Sequence, residues 1–232
     1  MSPIDTPRKR TGNPPQKSKT SSRKWIYIAV ILVVVVVAAV AFVLLQNQAK
    51  NPQNNTSTTN PIAVINTNKG IIKVELYVDK APITTANFIK LVNDGFYTDL
   101  IFHRIANLDS TAPSTHVIQG GGFYANGTMK TDPYGPITLE TKPDLLHDDG
   151  AIAMARTNDP NSATSQFYIC DGPQHFLDGN YAVFGKVTDN ASMAVVRAIA
   201  SVPTETRTIQ GQEMTNWPID DVIINSITIQ ES

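Results

Sequence analysis

Three polar side chains sit in apolar surroundings where they could act on a bound molecule. Arg104 lies inside the run Ile101-Phe102-His103-Arg104-Ile105, Gln119 precedes Gly120-Gly121-Gly122, and Gln166 stands two residues before Tyr168. A guanidinium keeps its charge at ordinary pH, so Arg104 offers fixed positive charge and donors, not acid–base chemistry. Taken alone, it fits a surface salt bridge better. If Gln166–Cys170 is a strand, Gln166 and Tyr168 share one face while Phe167 and Ile169 take the other. Phe176, Leu177 and Tyr181 follow and extend an apolar patch. An aromatic hollow with a few polar donors is a binding-site pattern, and it is also the pattern of an ordinary barrel rim.

Other chemistries fall away. Gly120-Gly121-Gly122 is followed by no P-loop lysine and no helix start, so close backbone approach explains it better than phosphate binding. The histidines at 103, 116, 147 and 175 form no H-x-x-x-H pair, and Cys170 is the single cysteine, so a zinc site is not expected. No G-x-S-x-G elbow is present. Cys170 reads as a small buried hydrophobe, and no disulfide within the chain is possible.

The elements that must position these residues are mostly strands. "IAVINTNKGIIKVELY" (62–77) is two β-rich runs around Asn68-Lys69-Gly70, a hairpin signal. "APITTANFIKLVNDG" (81–95) has proline at a first turn, helical spacing of Phe88, Ile89 and Val92, and Gly95 at its end. Short strands are expected at Ile101–Ile105, His116–Gln119, Ile137–Glu140, Ala151–Ala155, Gln166–Cys170 and Ala182–Val187. A second helix is expected from Ala191 to Ser201, and "DVIINSITI" closes the chain as a strand. Seven or eight strands with only two helices point to a mainly β fold, an antiparallel sheet closed or nearly closed into a barrel.

The chain before this domain differs in kind. Residues 1–24 carry seven basic residues against Asp5 alone, a charge of +6, which leaves −7 for the rest of a chain of formal net charge −1. Residues 25–45 contain Ile26–Leu45, 20 residues without a charge. As a helix this run is about 30 Å long, the thickness of a bilayer's hydrocarbon. A cleaved signal peptide is the alternative, but signal cores are shorter and end in small residues. The sequence therefore predicts a disordered basic cytoplasmic arm (1–24), a single transmembrane helix (25–45), a flexible Asn/Gln/Thr-rich linker (46–60) and one domain (61–232). By the positive-inside rule that domain lies outside the cytoplasm. The basic arm next to an apolar run reads as a topology signal, so nucleic acid is not an expected partner.

Four segments in order, "FHRI", "VIQGGGF", "MARTNDPNSATSQFYIC" and "FLDGNYAVFGKV", resemble the cyclophilin family of peptidyl-prolyl cis–trans isomerases. The resemblance runs from about Ile62 to Ile229. It implies an eight-stranded antiparallel closed barrel capped by two helices, and an enzyme that needs neither cofactor nor metal. Its partners would be proline-containing polypeptides, here exported proteins as they fold, with the membrane held through the N-terminal helix and the domain a monomer. It further implies that Arg104 is the catalytic group and that Gln119 hydrogen-bonds substrate. Ala155 and Arg156 would present backbone to the peptide, Gln166 would support the site, and Tyr168 and Leu177 would line a proline pocket with Phe176 and Tyr181 at its rim. His116 and Val117 would stand where the family carries a phenylalanine and a methionine beside the substrate. A proline-binding module or chaperone without catalysis is the alternative of another class.

The chain also departs from the family pattern. Fourteen residues separate Arg104 from Gln119, more than is usual, so the stretch 107–115 reads as an insert: a lid, a partner-binding loop or a tolerated surface loop. Tyr168 replaces a phenylalanine and brings a hydroxyl that needs a partner. Phe176 replaces a tryptophan that the family resemblance associates with cyclosporin binding, so weak inhibition by that compound is expected.

Overall fold

The computed structural model describes residues 59–108 and 115–231. The basic arm, the apolar run and most of the linker lie outside the described residues, as do positions 109–114 of the insert. Among the described residues no helix is long and apolar enough to cross a membrane.

The first two runs form the expected hairpin, β1 (Ile62–Thr67) and β2 (Gly70–Leu76), joined by Asn68-Lys69. The Thr67 hydroxyl fastens the turn by donating to the Gly70 carbonyl at 2.8 Å. Then α1 (Pro82–Asn93) turns Phe88, Leu91 and Val92 inward. Proline sits in its first turn, where no N–H is missed. No side chain of its own caps it. The Glu140 carboxylate does so from a distance, accepting from the Thr84 N–H at 3.0 Å and the Ile83 N–H at 3.3 Å. A carboxylate there meets both the unpaired N–H groups and the positive end of the helix. This explains one difference from the sequence reading: Ile137–Glu140 is not a strand. Ile137 makes a single bridge to Ala163, and Glu140 is drawn to the helix.

Six more strands complete the main sheet: β3 (Leu100–Asn107), β4 (His116–Tyr124), β5 (Ala151–Met154), β6 (Phe167–Asp171), β7 (Val183–Val187) and β10 (Ile224–Gln230). Between β7 and β10 come α2 (Asn190–Ala200), with Asp189 as its N-cap, and a hairpin of β8 (Thr204–Ile209) and β9 (Gln212–Pro218). The sheet order is β10-β1-β2-β7-β5-β6-β4-β3, every pair antiparallel. The sheet curls until its edge strands meet, but they meet only at the Ile101–Ile223 bridge and a few flanking bonds, such as Phe102 N–H to the Val222 carbonyl at 2.9 Å. The expectation of a closed barrel is therefore corrected to a curled sheet with partial closure. Register shifts between Leu100 and Arg104 break the edge of β3, and a bulged edge cannot continue a regular ladder. Inside the curl, Phe88, Tyr97, Phe102, Phe167 and Phe184 are fully or almost fully buried and interlock, largely edge-on.

The β8–β9 hairpin was not anticipated. Its Gln210-Gly211 turn has positive φ at both residues, 52° and 82°, the signature of a tight hairpin turn. It delivers Trp217, fully buried, against Ile101 and Phe123 on the back of β3 and β4.

Candidate active site

Cross-strand register assembles the site. Arg104 on β3 faces Gln119 on β4, Gln119 faces Tyr168 on β6, and Tyr168 faces Ala153 on β5. Directly opposed residues point to the same side of a sheet, so four strands set one row on the outer surface. Their neighbours Phe102, Phe167 and Met154 fill the interior. The row borders a cavity of about 300 Å³ lined by Arg104, Leu108, Val117, Gln119, Ala155, Arg156, Tyr168, Phe176, Leu177 and Tyr181.

The polar groups form a chain. Arg104 Nη1 donates to Gln119 Oε1 at 3.3 Å, and Gln119 Nε2 donates to Gln166 Oε1 at 3.0 Å. Among the described residues no carboxylate lies within 4 Å of the guanidinium. Half-burial lowers the Arg104 pKa from its usual value, yet an arginine remains charged. Gly122 is needed here because a Cβ would lie 2.6 Å from Gln166 Cδ. At Gly121, with φ +82°, a Cβ would strike the Tyr97 ring and the Ser165 carbonyl. The glycines thus permit close approach, as the sequence suggested.

The apolar side is built from β6 and the following loop. Tyr168, 5% exposed, forms the floor. Leu177 ends a short 3-10 turn (His175–Leu177) and forms a wall, while Phe176 stands 59% exposed at the rim. Arg156 lies over the Tyr181 ring at 4.6 Å and donates to the Asn180 and Thr157 carbonyls. The Ala155 N–H is committed to the Gln166 carbonyl at 2.8 Å.

The structure thus gathers nine of the eleven residues singled out from sequence around one cavity: Arg104, Val117, Gln119, Ala155, Arg156, Tyr168, Phe176, Leu177 and Tyr181. Gln166 stands behind it, bonded to Gln119. His116 is not brought to it. Strand alternation turns His116 to the face opposite Val117 and Gln119, where it pairs across β4 and β6 with Asp171, Nδ1 to Oδ2 at 3.9 Å, below Arg197 of α2. One step along a strand reverses the face. Leu108 lines the cavity and was missed; it sits at the edge of the insert, where no pattern marks it. Also missed was His147, fully buried beneath Tyr168, with its Nε2 2.9 Å from the tyrosine hydroxyl. Cys170 is wholly buried, and burial pushes its thiol up to about 12, which removes it as a nucleophile.

Residues 62–229 match the family described as cyclophilin type peptidyl-prolyl cis-trans isomerase/CLD. A peptidyl-prolyl cis-trans isomerase of Acinetobacter baylyi is 43% identical over 152 residues, which cover 63% of this chain and 76% of that protein. Peptidyl-prolyl cis-trans isomerase B of Escherichia coli is 37% identical over 178 residues, covering 73% of this chain and all of that one. The fold is similar to that of a cyclophilin-type isomerase of Cryptosporidium parvum crystallised in the presence of the dipeptide Ala-Pro, with TM-score 0.62, 29% identity and coverage of 74% and 99% of the two chains. The chain belongs to the cyclophilin-type peptidyl-prolyl cis–trans isomerases and is an enzyme of that class.

Proposed function

We propose that this isomerase turns X–Pro bonds in exported polypeptides, with Arg104 as the catalytic group and the Tyr168–Leu177 hollow as the seat of the proline ring. Rotation about a peptide bond meets a barrier of about 18–20 kcal/mol because conjugation is lost midway. No bond is broken, so the enzyme's task is to favour the twisted state. There the proline nitrogen regains a lone pair, and its carbonyl loses conjugation. A fixed guanidinium donor directed at that nitrogen, or at the neighbouring carbonyl oxygen, interacts more strongly with the twisted state than with either planar one. Only such a difference accelerates the reaction. The apolar floor orients the ring and strengthens the interaction by excluding water.

The observation that carries this reading is the charged, half-buried Arg104, oriented by a neutral amide beside the cavity rather than paired with a carboxylate. In a coupled isomerisation assay of the full chain on a proline tetrapeptide, Arg104→Ala is expected to lower turnover by about 10²–10³-fold, the cost of removing a comparable preorganised donor. Near-normal turnover in a folded Arg104→Ala protein would refute the assignment.

The place of action is part of the same proposal. Its support is the uncharged run Ile26–Leu45 directly after a basic arm, the pattern of an anchor whose N-terminus stays in the cytoplasm. The Cryptosporidium parvum structure, crystallised with Ala-Pro, supports a proline-containing peptide as the ligand. Protease added to intact cells should remove the domain while sparing residues 1–24. Protection of the domain until lysis would overturn the exported placement.

A further inference from the structure

We propose that Asp178 and His147 are positioning residues of the prolyl pocket: one carboxylate and one imidazole lock the floor at Tyr168 to the wall at Leu177. The inference rests on the cavity being the proline site. It concerns what shapes that pocket rather than what drives rotation.

The contacts form one chain. Asp178 Oδ1 accepts from both the backbone N–H and the ring Nδ1 of His147, each at 2.8 Å. On the other side of the ring, His147 Nε2 lies 2.9 Å from the Tyr168 hydroxyl. The two rings are nearly parallel, 12° apart, with Tyr181 edge-on to both. Asp178 directly follows the wall residue Leu177. The same loop is held from its other end, where the Gln174 N–H donates to the His147 carbonyl at 2.7 Å. His175 Nδ1 adds a third contact to Asp178, 3.1 Å from Oδ2. Floor and wall, on separate elements, therefore meet at one buried imidazole.

The direction of each hydrogen bond follows from the groups. Asp178 is held below the ordinary carboxylate range by its contacts to His147 and His175, although its own burial opposes this. It is ionised and only accepts, so His147 Nδ1 carries the proton. Burial lowers the His147 pKa, so the ring is neutral near pH 7 and its Nε2 is a bare acceptor. Burial also raises the Tyr168 pKa well above its usual value, so the hydroxyl keeps its proton and donates it to Nε2. The Asp178 carboxylate, both nitrogens of the His147 ring and the Tyr168 hydroxyl each have a partner, which is the condition for a buried polar group to fix geometry rather than loosen it. The phenolic oxygen is tied down beneath the floor, which turns the apolar face of the ring toward the cavity.

The test is a double-mutant cycle on the full chain. His147→Leu removes both ring contacts and keeps apolar bulk; Tyr168→Phe removes only the hydroxyl. His147→Leu in the Tyr168 background is expected to raise KM for the tetrapeptide about 3–10-fold, the worth of one buried hydrogen bond, with kcat within about twofold. In the Tyr168→Phe background the same change should raise KM by a smaller factor, because only the Asp178 contact is left to lose. Equal effects in the two backgrounds, or a loss carried by kcat, would overturn the proposal. A second readout does not use His147→Leu. The nitrogen-15 spectrum of the wild-type protein should show His147 with a protonated Nδ1 and an unprotonated Nε2, and Tyr168→Phe should shift the Nε2 resonance. The opposite tautomer, or an unmoved Nε2, would also overturn it. Arg104→Ala measured alongside separates the two readings. Unchanged turnover there removes the site itself, whereas a lost turnover with no coupling in the cycle removes the clamp alone.

Discussion

His103, the residue before Arg104, makes the stability of this fold depend on pH, and the size of the effect can be worked out. The imidazole is 2% exposed and lies between Phe123 and Trp217, with ring centroids at 4.7 and 6.0 Å. Its Nδ1 finds no hydrogen-bond partner among the described residues. Burial pushes its pKa down to about 4, Arg104 pushes the same way, and the Ile101 backbone and Gln166 oppose only in part. In the unfolded chain the value is about 6.5. The folded state therefore resists a proton that the unfolded state accepts. The contribution of neutral burial is complete above about pH 6.5 and is lost as the pH falls toward 4. At about 1.4 kcal/mol per pKa unit the loss below pH 4 totals about 3 kcal/mol, and about 2 kcal/mol of it falls between pH 7 and pH 5. His103→Phe keeps an aromatic ring between Phe123 and Trp217 but cannot titrate. Urea unfolding at pH 7 and pH 5, followed by near-ultraviolet circular dichroism, should show wild type losing about 2 kcal/mol more than the variant. Taking the difference cancels the other titrating groups, His147 included. Equal losses in the two proteins would mean that His103 is hydrated or paired in the folded state, and the reasoning would fail.

Other consequences are as direct. Gly122→Ala places a Cβ against the Gln166 side chain; the side chain must move and release Gln119, so kcat/KM should fall several-fold, and Gly122→Ala combined with Gln166→Ala should regain stability relative to Gly122→Ala alone. Gln119→Glu sets a carboxylate where Arg104 now meets an amide oxygen at 3.3 Å; an ion pair there should slow turnover without lowering the melting temperature, and full activity in that variant would show that the charge of Arg104 need not be free. Phe176 is exposed at the rim, with room for a larger ring; Phe176→Trp is expected to tighten cyclosporin binding, and an unchanged titration would place the weakness elsewhere.

The site was legible where it depends on local pattern, and illegible where it depends on where the chain turns. Alternation alone puts Tyr168 on one face and Phe167 and Ile169 on the other, and the register of β6 agrees; Gln166 directly precedes β6 and bonds Gln119, the residue opposite Tyr168. The β1–β2 hairpin carries its own turn residues, α1 a proline in its first turn, and α2 its own capping residue, Asp189. His116 lies off the cavity by strand parity, which resemblance across the insert does not reveal. Counted back from Gln119 along β4, positions 117 and 119 share a face and 116 does not. Ile137–Glu140 looked like a strand because nothing local says that its carboxylate caps a helix 56 residues earlier in the chain. The β8–β9 hairpin could have been found from Thr204 to Trp217, where β-branched residues flank Gln-Gly. His147 and Asp178 are 31 residues apart, and only the fold makes them neighbours.

Two kinds of support surround this cavity, and in the proposed mechanism they have different physical purposes. Arg104 has to act as a charge. A carboxylate partner would orient it but would also neutralise the field that favours the twisted amide. Gln119 orients it through a neutral oxygen; the guanidinium only donates, so it fixes which end of the Gln119 amide faces it, and the other end donates to Gln166. The floor has the opposite requirement. Tyr168 must present an apolar face, so its polar end has to be fully satisfied below the surface, and there a carboxylate does no harm. Asp178 acts through His147, one residue removed from the cavity, and its negative charge meets imidazole and backbone donors rather than the substrate. Exchanging the two devices would fail on both counts: a carboxylate beside Arg104 would quench it, and an amide chain under Tyr168 would leave the direction of the floor's hydrogen bonds undetermined. The separation of an uncompensated cation from a compensated polar floor is therefore what lets one small hollow bind a hydrocarbon ring and still act electrostatically on the bond attached to it.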